Sequence, residues 1–131
     1  MAEAVFNNVC SVNNFQHSAF SRGTSVFFAQ PINPKSREAL ASNGICLNEH
    51  LAQQITENDI KSADLILTMS SSHKMELKSK FSFAKDKIFT LCEKAYGRDC
   101  DINDPFGQGQ DVYNNCYSEI SEAVNKLLCL I

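Results

Sequence analysis

The sequence lacks the features that identify three large classes of protein. It has 12 basic and 15 acidic residues and a net charge of −3, so it offers no basic stripe for nucleic acid. No apolar run approaches the length of a membrane span. The N-terminus has no basic segment followed by an apolar one, which an export signal would show. We therefore expect neither nucleic acid nor a membrane as a partner, and a cytoplasmic location.

Closely spaced cysteines are also absent. The six cysteines lie at positions 10, 46, 92, 100, 116 and 129, and no two have the short spacing of a zinc knuckle or a redox couple. In a chain without an export signal, such cysteines are expected to stay reduced. With neither repeats nor a low-complexity linker, residues 1–131 predict one domain around a single core, with no metal site and no cofactor.

Periodicity and capping residues predict five helices. The first is Met1–Cys10, which has Val5, Phe6 and Val9 on one face, and the second is opened by Asn33 and Pro34 and closed by Gly44. The third is a short helix with a capping box from Thr56 to Asp59, and the fourth is capped by Ser70 or Ser71, with Met75, Leu77 and Phe81 on its inner side. The fifth is a long amphipathic helix from Val112 to Leu128.

Apolar runs between these helices predict strands. Asp64–Met69 is nearly continuous, as is typical of a strand buried on both faces of a parallel sheet, and Lys87–Cys92 is similar. Ala19–Ser25 predicts a shorter strand, and Ile45–Leu51 a connection that carries His50. Helices alternating with such strands favour an α/β fold, a three-layer sandwich around a parallel sheet.

The stretch Asp104, Pro105, Phe106, Gly107 lies on a loop before the last helix. Proline biases the preceding acid away from helix, and the glycine permits a tight reversal. An acid held on a rigid loop is suited to proton transfer at a neighbouring site. The alternative is a plain Asp-Pro turn that opens a helix.

Several stretches together resemble the low-molecular-weight protein-tyrosine phosphatases, a flavodoxin-like family that includes bacterial arginine phosphatases. They occur in family order over the whole chain: residues 1–6, Gly23-Thr24-Ser25, Asn33-Pro34, His50 with Gln54-Ile55-Thr56, residues 63–69, residues 85–88, and residues 104–107.

This resemblance implies a nucleophilic mechanism without metal. In the family, a Cys thiolate in a Cys-x5-Arg-Ser loop attacks phosphorus, while an Asp on another loop protonates the leaving phenolate. The resemblance assigns the role of that acid to Asp104 and a supporting role in the phosphate-loop network to His50. It assigns the walls of the substrate cleft to Phe27 and Phe106. The alternatives are a loop histidine with a local partner at position 50 and an ordinary, partly buried phenylalanine at position 27.

The family places its nucleophile loop directly before the position of Met1. The first central strand, the catalytic Cys and its Arg are therefore expected to be missing from these 131 residues, through a mis-assigned start or a real truncation. The chain is expected to be inactive as written, and to self-associate through open sheet edges. Ser70 stands where many members carry Asp, and Ser21 is interpreted as an ordinary strand residue.

One other stretch, Cys92 to Arg98, has the Cys-x5-Arg spacing. Asp99 follows in place of Ser or Thr, and Glu93 adds a second negative charge. No helical pattern is evident after it, so we do not interpret it as a phosphate loop.

The function implied by the resemblance is hydrolysis of phosphotyrosine on a phosphorylated protein, through a phosphocysteine intermediate. The alternatives are a non-catalytic remnant that binds a partner, an arsenate reductase relative, or a protein-arginine phosphatase.

Overall fold

Two short parallel strands lie at the centre of the fold. The computed structural model describes residues 1–47 and 50–131, so two residues of the predicted connection, Asn48 and Glu49, lie outside the described residues. Strand β1 (Ile66–Thr68) pairs with β2 (Ile88–Thr90), with Leu67 opposite Phe89. Both strands fall inside predicted ones, and their parallel pairing confirms the predicted sheet.

Six helices surround this sheet in the described part of the chain. They are α1 (Ala2–Val12), α2 (Pro34–Ala41), α3 (Glu57–Ser62), α4 (Ser71–Lys80), α5 (Leu91–Tyr96) and α6 (Gln110–Leu128), with a short 3-10 turn over Ser82–Lys87.

The helices form two apolar clusters, one on each side of the sheet. The larger joins α1, α2, α5 and α6, and Leu67 of β1 packs against it. The smaller joins α3 and α4 through Ile60 and Leu77, with Ile66 and Ile88 from the strands. Adjacent strand residues thus point to opposite clusters, and this alternation gives the helix–sheet–helix layering that was predicted.

The predicted caps are confirmed. Asn33 accepts a hydrogen bond from the Lys35 amide of α2 at a distance of 2.9 Å. Thr56 and Asp59 form a reciprocal capping box at α3, and Ser70 caps α4. Because each side chain satisfies an amide that the first turn leaves free, it fixes where its helix begins.

The strand predicted over Ala19–Ser25 is wrong. Within it, only Gly23 forms a bridge, to Gln54. The backbone of Ala19 instead makes two hydrogen bonds with the Asn7 side chain, at 2.7 and 2.8 Å. Since a strand needs a neighbouring backbone to pair with, this segment remains irregular.

Two other predictions need correction. Residues Leu91 and Cys92, predicted to end a strand, begin α5, because Thr90 and Glu93 form a capping box there. A helix therefore does follow Thr90. Met75, predicted to face inward, is 69% exposed, because a residue two positions from buried Leu77 lies on nearly the opposite side of a helix.

The expectation that all cysteines are reduced is wrong for one pair. Cys92 and Cys100 form a disulfide with a Cα–Cα distance of 5.6 Å, and the other four cysteines are free. No helix among residues 1–47 and 50–131 has the length and apolar character needed to cross a membrane.

Glu93 at the start of α5 gives the fold a pH dependence. The hydrogen bond from Lys74 lowers the pKa of Glu93 against the opposing effect of burial, and the Thr90 amide lowers it further. The unfolded chain holds the proton up to a pH of 4.5, so the stabilisation is present above that pH. It is lost as the pH falls through the lower folded-state pKa.

We therefore expect Glu93→Gln to lower the melting temperature at neutral pH by about 1–3 °C. The variant and the unmodified chain should converge once the pH lies below the folded-state pKa of Glu93. Melting temperatures measured at neutral pH and at a series of acid pH values check both expectations. Glu57→Gln is the matched control, because Glu57 pairs with Lys61 in an exposed bridge. A deficit at Glu93 that persists undiminished in acid would contradict the assignment.

Candidate active site

The Asp104 loop is locked by its own backbone. An oxygen of the exposed Asp104 carboxylate accepts a hydrogen bond from the Phe106 amide at 3.0 Å. The carbonyl of buried Pro105 accepts from the Gln108 amide at 3.0 Å, and Gly107 supplies the positive φ of 80° that the reversal requires. The carboxylate is therefore held in a fixed orientation and open to solvent.

Helix α2 holds the far end of this loop. The Lys35 ammonium donates to the Gln108 carbonyl at 2.5 Å, and the Gln110 side-chain amide donates to the Lys35 carbonyl at 2.9 Å. Lys35 is the donor in one hydrogen bond and the acceptor in the other, so two hydrogen bonds join the start of α2 to the start of α6.

The near end of the loop crosses the end of β1. The amide of buried Ile102 donates to the Met69 carbonyl at 2.9 Å. Asp101 accepts from the Ser71 amide at 2.9 Å and from its hydroxyl at 3.2 Å. Asp104 therefore lies close to the carboxyl end of a parallel strand, where α/β folds commonly carry their sites.

Cys116 connects Asp104 to the start of α1. Burial raises the pKa of its thiol, the charges of Glu119 and Asp104 add to this, and the amino group of Met1 opposes it. Its sulfur also lies 3.8 Å from the Asn103 carbonyl. Cys116 thus lies beside the Asp104 loop, and Met1, which precedes α1, packs against the apolar cluster that contains Cys116.

Glu3, Ser21 and His50 form a polar cluster. The Ser21 hydroxyl donates to the Glu3 carboxylate at 2.7 Å, and His50 Nδ1 lies 3.3 Å from the same oxygen. His50 Nε2 lies 3.5 Å from the Ser21 hydroxyl. The predicted site residue His50 is therefore joined to the first turn of α1.

Both predicted aromatic walls are open to solvent. Phe27 is 92% exposed and Phe106 is 77% exposed. The alternative of an ordinary, partly buried phenylalanine is thus wrong at position 27. Phe106 follows Asp104 by two residues, so one aromatic side chain lies on the same loop as the acid.

The Cys92 stretch has no free nucleophile. Cys92 is buried in α5 and its sulfur is bonded to Cys100, while the Arg98 guanidinium lies 5.1 Å from the Tyr96 ring centroid. Although a helix does begin here, the sulfur and the guanidinium do not face a common anion site.

The contacts among Glu3, Ser21 and His50 were not predicted from sequence. Ser21 is separated from Glu3 by 18 positions and from His50 by 29, so no local pattern marks the cluster. Lys35 and Gln110 were missed for the same reason. The Asp-Pro-Phe-Gly turn was found because its chemistry is local.

The fold and the loop together define an α/β protein with an exposed carboxylate near the carboxyl end of a parallel sheet. Residues 1–131 match the family of low molecular weight phosphotyrosine protein phosphatases, and the chain belongs to that family.

Comparisons with individual proteins agree with this. The chain is 36% identical to a protein-arginine-phosphatase of Bacillus subtilis, over 97% of this chain and 84% of that protein. A low molecular weight protein tyrosine phosphatase from T. tengcongensis superposes with a TM-score of 0.95 at 34% identity, covering 99% of this chain and 88% of that one.

A third similar structure is the arginine phosphatase YwlE, in a mutant whose active-site serine is phosphorylated. It superposes with a TM-score of 0.94 at 33% identity, covering 98% of this chain and 84% of that one. The predicted family and the predicted low-molecular-weight phosphatase fold are confirmed.

Proposed function

We propose that these residues supply the general acid and the substrate cleft of a phosphoprotein phosphatase that acts on phosphotyrosine. The observation that carries this proposal is the Asp104 carboxylate. It is exposed, oriented by the Phe106 amide, and held close to the carboxyl end of β1. Phe27 and Phe106 are proposed to flank the aromatic ring of the substrate.

The proposed reaction has two steps. A cysteine thiolate attacks phosphorus, and the bond from phosphorus to the phenolic oxygen breaks as Asp104 gives that oxygen its proton. Asp104, now ionised, then takes a proton from water as the water attacks the phosphocysteine. Phosphate leaves, and the thiolate and the protonated acid are regenerated.

The thiolate must come from a loop outside these residues. The 131 residues contain no Cys-x5-Arg-Ser, and the sulfur of Cys92 is bonded to Cys100. We propose that the loop joins the chain ahead of Met1. That position lies near Cys116 of α6, because Met1 packs against the apolar cluster that contains Cys116, and the Cys116 sulfur contacts the Asn103 carbonyl next to Asp104.

The Glu3, Ser21 and His50 cluster is proposed to support that loop. Its members come from α1, the irregular 13–33 segment and the connection before α3, and they meet beside the first turn of α1. A loop that entered α1 would pass this cluster. The arginine-phosphatase relative makes phosphoarginine the second candidate substrate.

The test uses an extended chain, defined as these 131 residues preceded by a family strand and Cys-x5-Arg-Ser loop. We expect it to hydrolyse a phosphotyrosine peptide at least about tenfold faster, by kcat/KM, than a phosphoarginine peptide. The reverse order would favour the second substrate. A folded extended chain that hydrolyses neither peptide would refute the proposed function.

A further inference from the structure

The Cys92–Cys100 disulfide joins a helix to an irregular segment. Cys92 lies in α5 and is 4% exposed, while Cys100 is half-buried in an irregular segment. The two residues are eight positions apart, with a Cα–Cα distance in the usual range for a disulfide. The bond closes a small loop that turns through the left-handed Gly97, at φ 69°.

The segment from Gly97 to Asp104 has few other attachments in the part of the chain that the structure describes. Arg98 and Asp99 are exposed and outside regular structure. Its main anchors are the Asp101 contacts with Ser71 and the Ile102 amide bond to Met69. Asp104 follows these anchors within two or three residues, so the position of the acid depends on how firmly they hold.

The disulfide supplies the covalent anchor of this segment. A cross-link reduces the number of conformations open to the chain between its ends, and local opening becomes rarer. With the bond broken, the segment is joined to α5 only through the glycine turn. Opening around Ile102 should then be more frequent, while the β1–β2 pair should be unaffected.

We propose that Cys92 and Cys100 form a reversible thiol–disulfide site that controls how firmly the Asp104 segment is held, with low-molecular-weight thiols and disulfides as its reaction partners. The functional meaning of this site rests on the proposed role of Asp104 as the general acid. The chemistry of the site can be measured without any phosphatase assay.

Reduction of the site takes two successive thiolate attacks. A small thiolate attacks the more accessible Cys100 sulfur, forms a mixed disulfide and displaces the Cys92 thiolate, which takes a proton. A second small thiolate attacks the sulfur of the first, and Cys100 leaves as a thiolate and is protonated. Two small thiols are thus oxidised to one small disulfide as the protein disulfide is reduced. Oxidation by a small disulfide is the reverse.

The other cysteines differ from this pair in ways that provide controls. Cys10 and Cys116 are buried, and burial raises the pKa of both thiols. Low thiolate content and poor access make them slow to react. Cys46 and Cys129 are exposed but free. Exchange at either should give only a mixed disulfide.

The experiment measures amide hydrogen exchange in the 131-residue chain, oxidised and after treatment with dithiothreitol. Alkylation after unfolding should count four thiols in the oxidised form and six in the reduced form. We expect the exchange rate of the Ile102 amide to rise at least about tenfold on reduction. The Phe89 amide in β2 should change by less than about twofold.

Variants distinguish the effect of the Cys92–Cys100 bond on the segment from a general effect of reduction on the protein. Cys100→Ser should exchange rapidly at Ile102 under both conditions. Cys129→Ser should behave like the unmodified chain. In a chain whose exposed cysteines are also replaced (Cys46→Ser and Cys129→Ser), glutathione disulfide added to the reduced form should restore the bond and release two equivalents of glutathione, because both thiols of the pair are consumed.

Three results would overturn the proposal. They are a count of six thiols before reduction, an exchange rate of the Ile102 amide that is the same in both redox states, and an equal rise in exchange rate at every amide. Exchange at unfolded-chain rates in both states would also overturn it, since no held segment would exist. None of these results depends on phosphatase activity. A failure here is therefore distinguishable from failure of the extended chain to hydrolyse phosphopeptides.

Discussion

The extended chain should hydrolyse a phosphotyrosine peptide at least about 10⁶-fold faster than the 131 residues alone. The reason is that a general acid has nothing to assist without a nucleophile and an anion cradle. In the chain as written, Cys92 is bonded and buried, and Cys10 and Cys116 are buried. Initial rates of phosphate release from both chains, at matched concentrations of folded protein, make the comparison.

The control for this result is an extended chain whose loop cysteine is replaced by serine, which should be as inactive as the 131 residues. Folding should improve together with activity, because β1 pairs only with β2 among residues 1–47 and 50–131. Each unmade backbone hydrogen bond on a buried strand edge costs about 1–3 kcal/mol. We expect the shorter chain to unfold less cooperatively and to self-associate on size exclusion. Substantial turnover by the shorter chain would contradict the proposal.

Asp104→Asn in the extended chain should lower kcat for a phosphotyrosine peptide by about 10²–10⁴-fold. The affinity for inorganic phosphate should change by less than about threefold, because the loop binds the anion and the acid only moves protons. Asparagine retains the oxygen that accepts from the Phe106 amide, so the turn should survive. Steady-state kinetics and phosphate inhibition give both quantities.

The matched control is Asp111→Asn, which removes another exposed carboxylate from the first turn of α6. Its kcat should stay within about twofold of the unmodified value. The effect at Asp104 should shrink for substrates whose leaving group is a weak base, because such groups need less protonation. Full activity in the Asp104→Asn variant, or an equal loss for all leaving groups, would refute the role of general acid.

Sequence reasoning succeeded where a structure is specified by residues close together in the chain. The caps at Asn33, Thr56 and Ser70 were predicted because a side chain bonds an amide two or three positions away. The long periodicity of α6 likewise gave the helix at Gln110–Leu128. Thr90 and Glu93 satisfy the same rule, but the apolar run through Cys92 favours a strand.

Failures arose where distant segments decide the outcome. Asn7 occupies the backbone of Ala19, and this contact across 12 positions removes a predicted strand. The Cys92–Cys100 bond depends on a turn through Gly97 that follows an unpredicted helix. The cluster that contains His50 comes from three separate segments. The turn that carries Asp104 was predicted from sequence, but its contacts with distant segments were not.

The two hydrogen bonds between Lys35 and the start of α6 limit how far a change in the Asp104 loop can spread. They fix the C-terminal end of the Asp104 loop at Gln108 and Gln110, while the hydrogen bond from the Ile102 amide to Met69 fixes its N-terminal end next to β1. Phe106 lies between these fixed points and is exposed, so a different side chain at this position should not shift either α2 or α6. The proposed cleft wall at Phe106 can therefore be altered on its own, while the packing of the two helices beside the loop is kept.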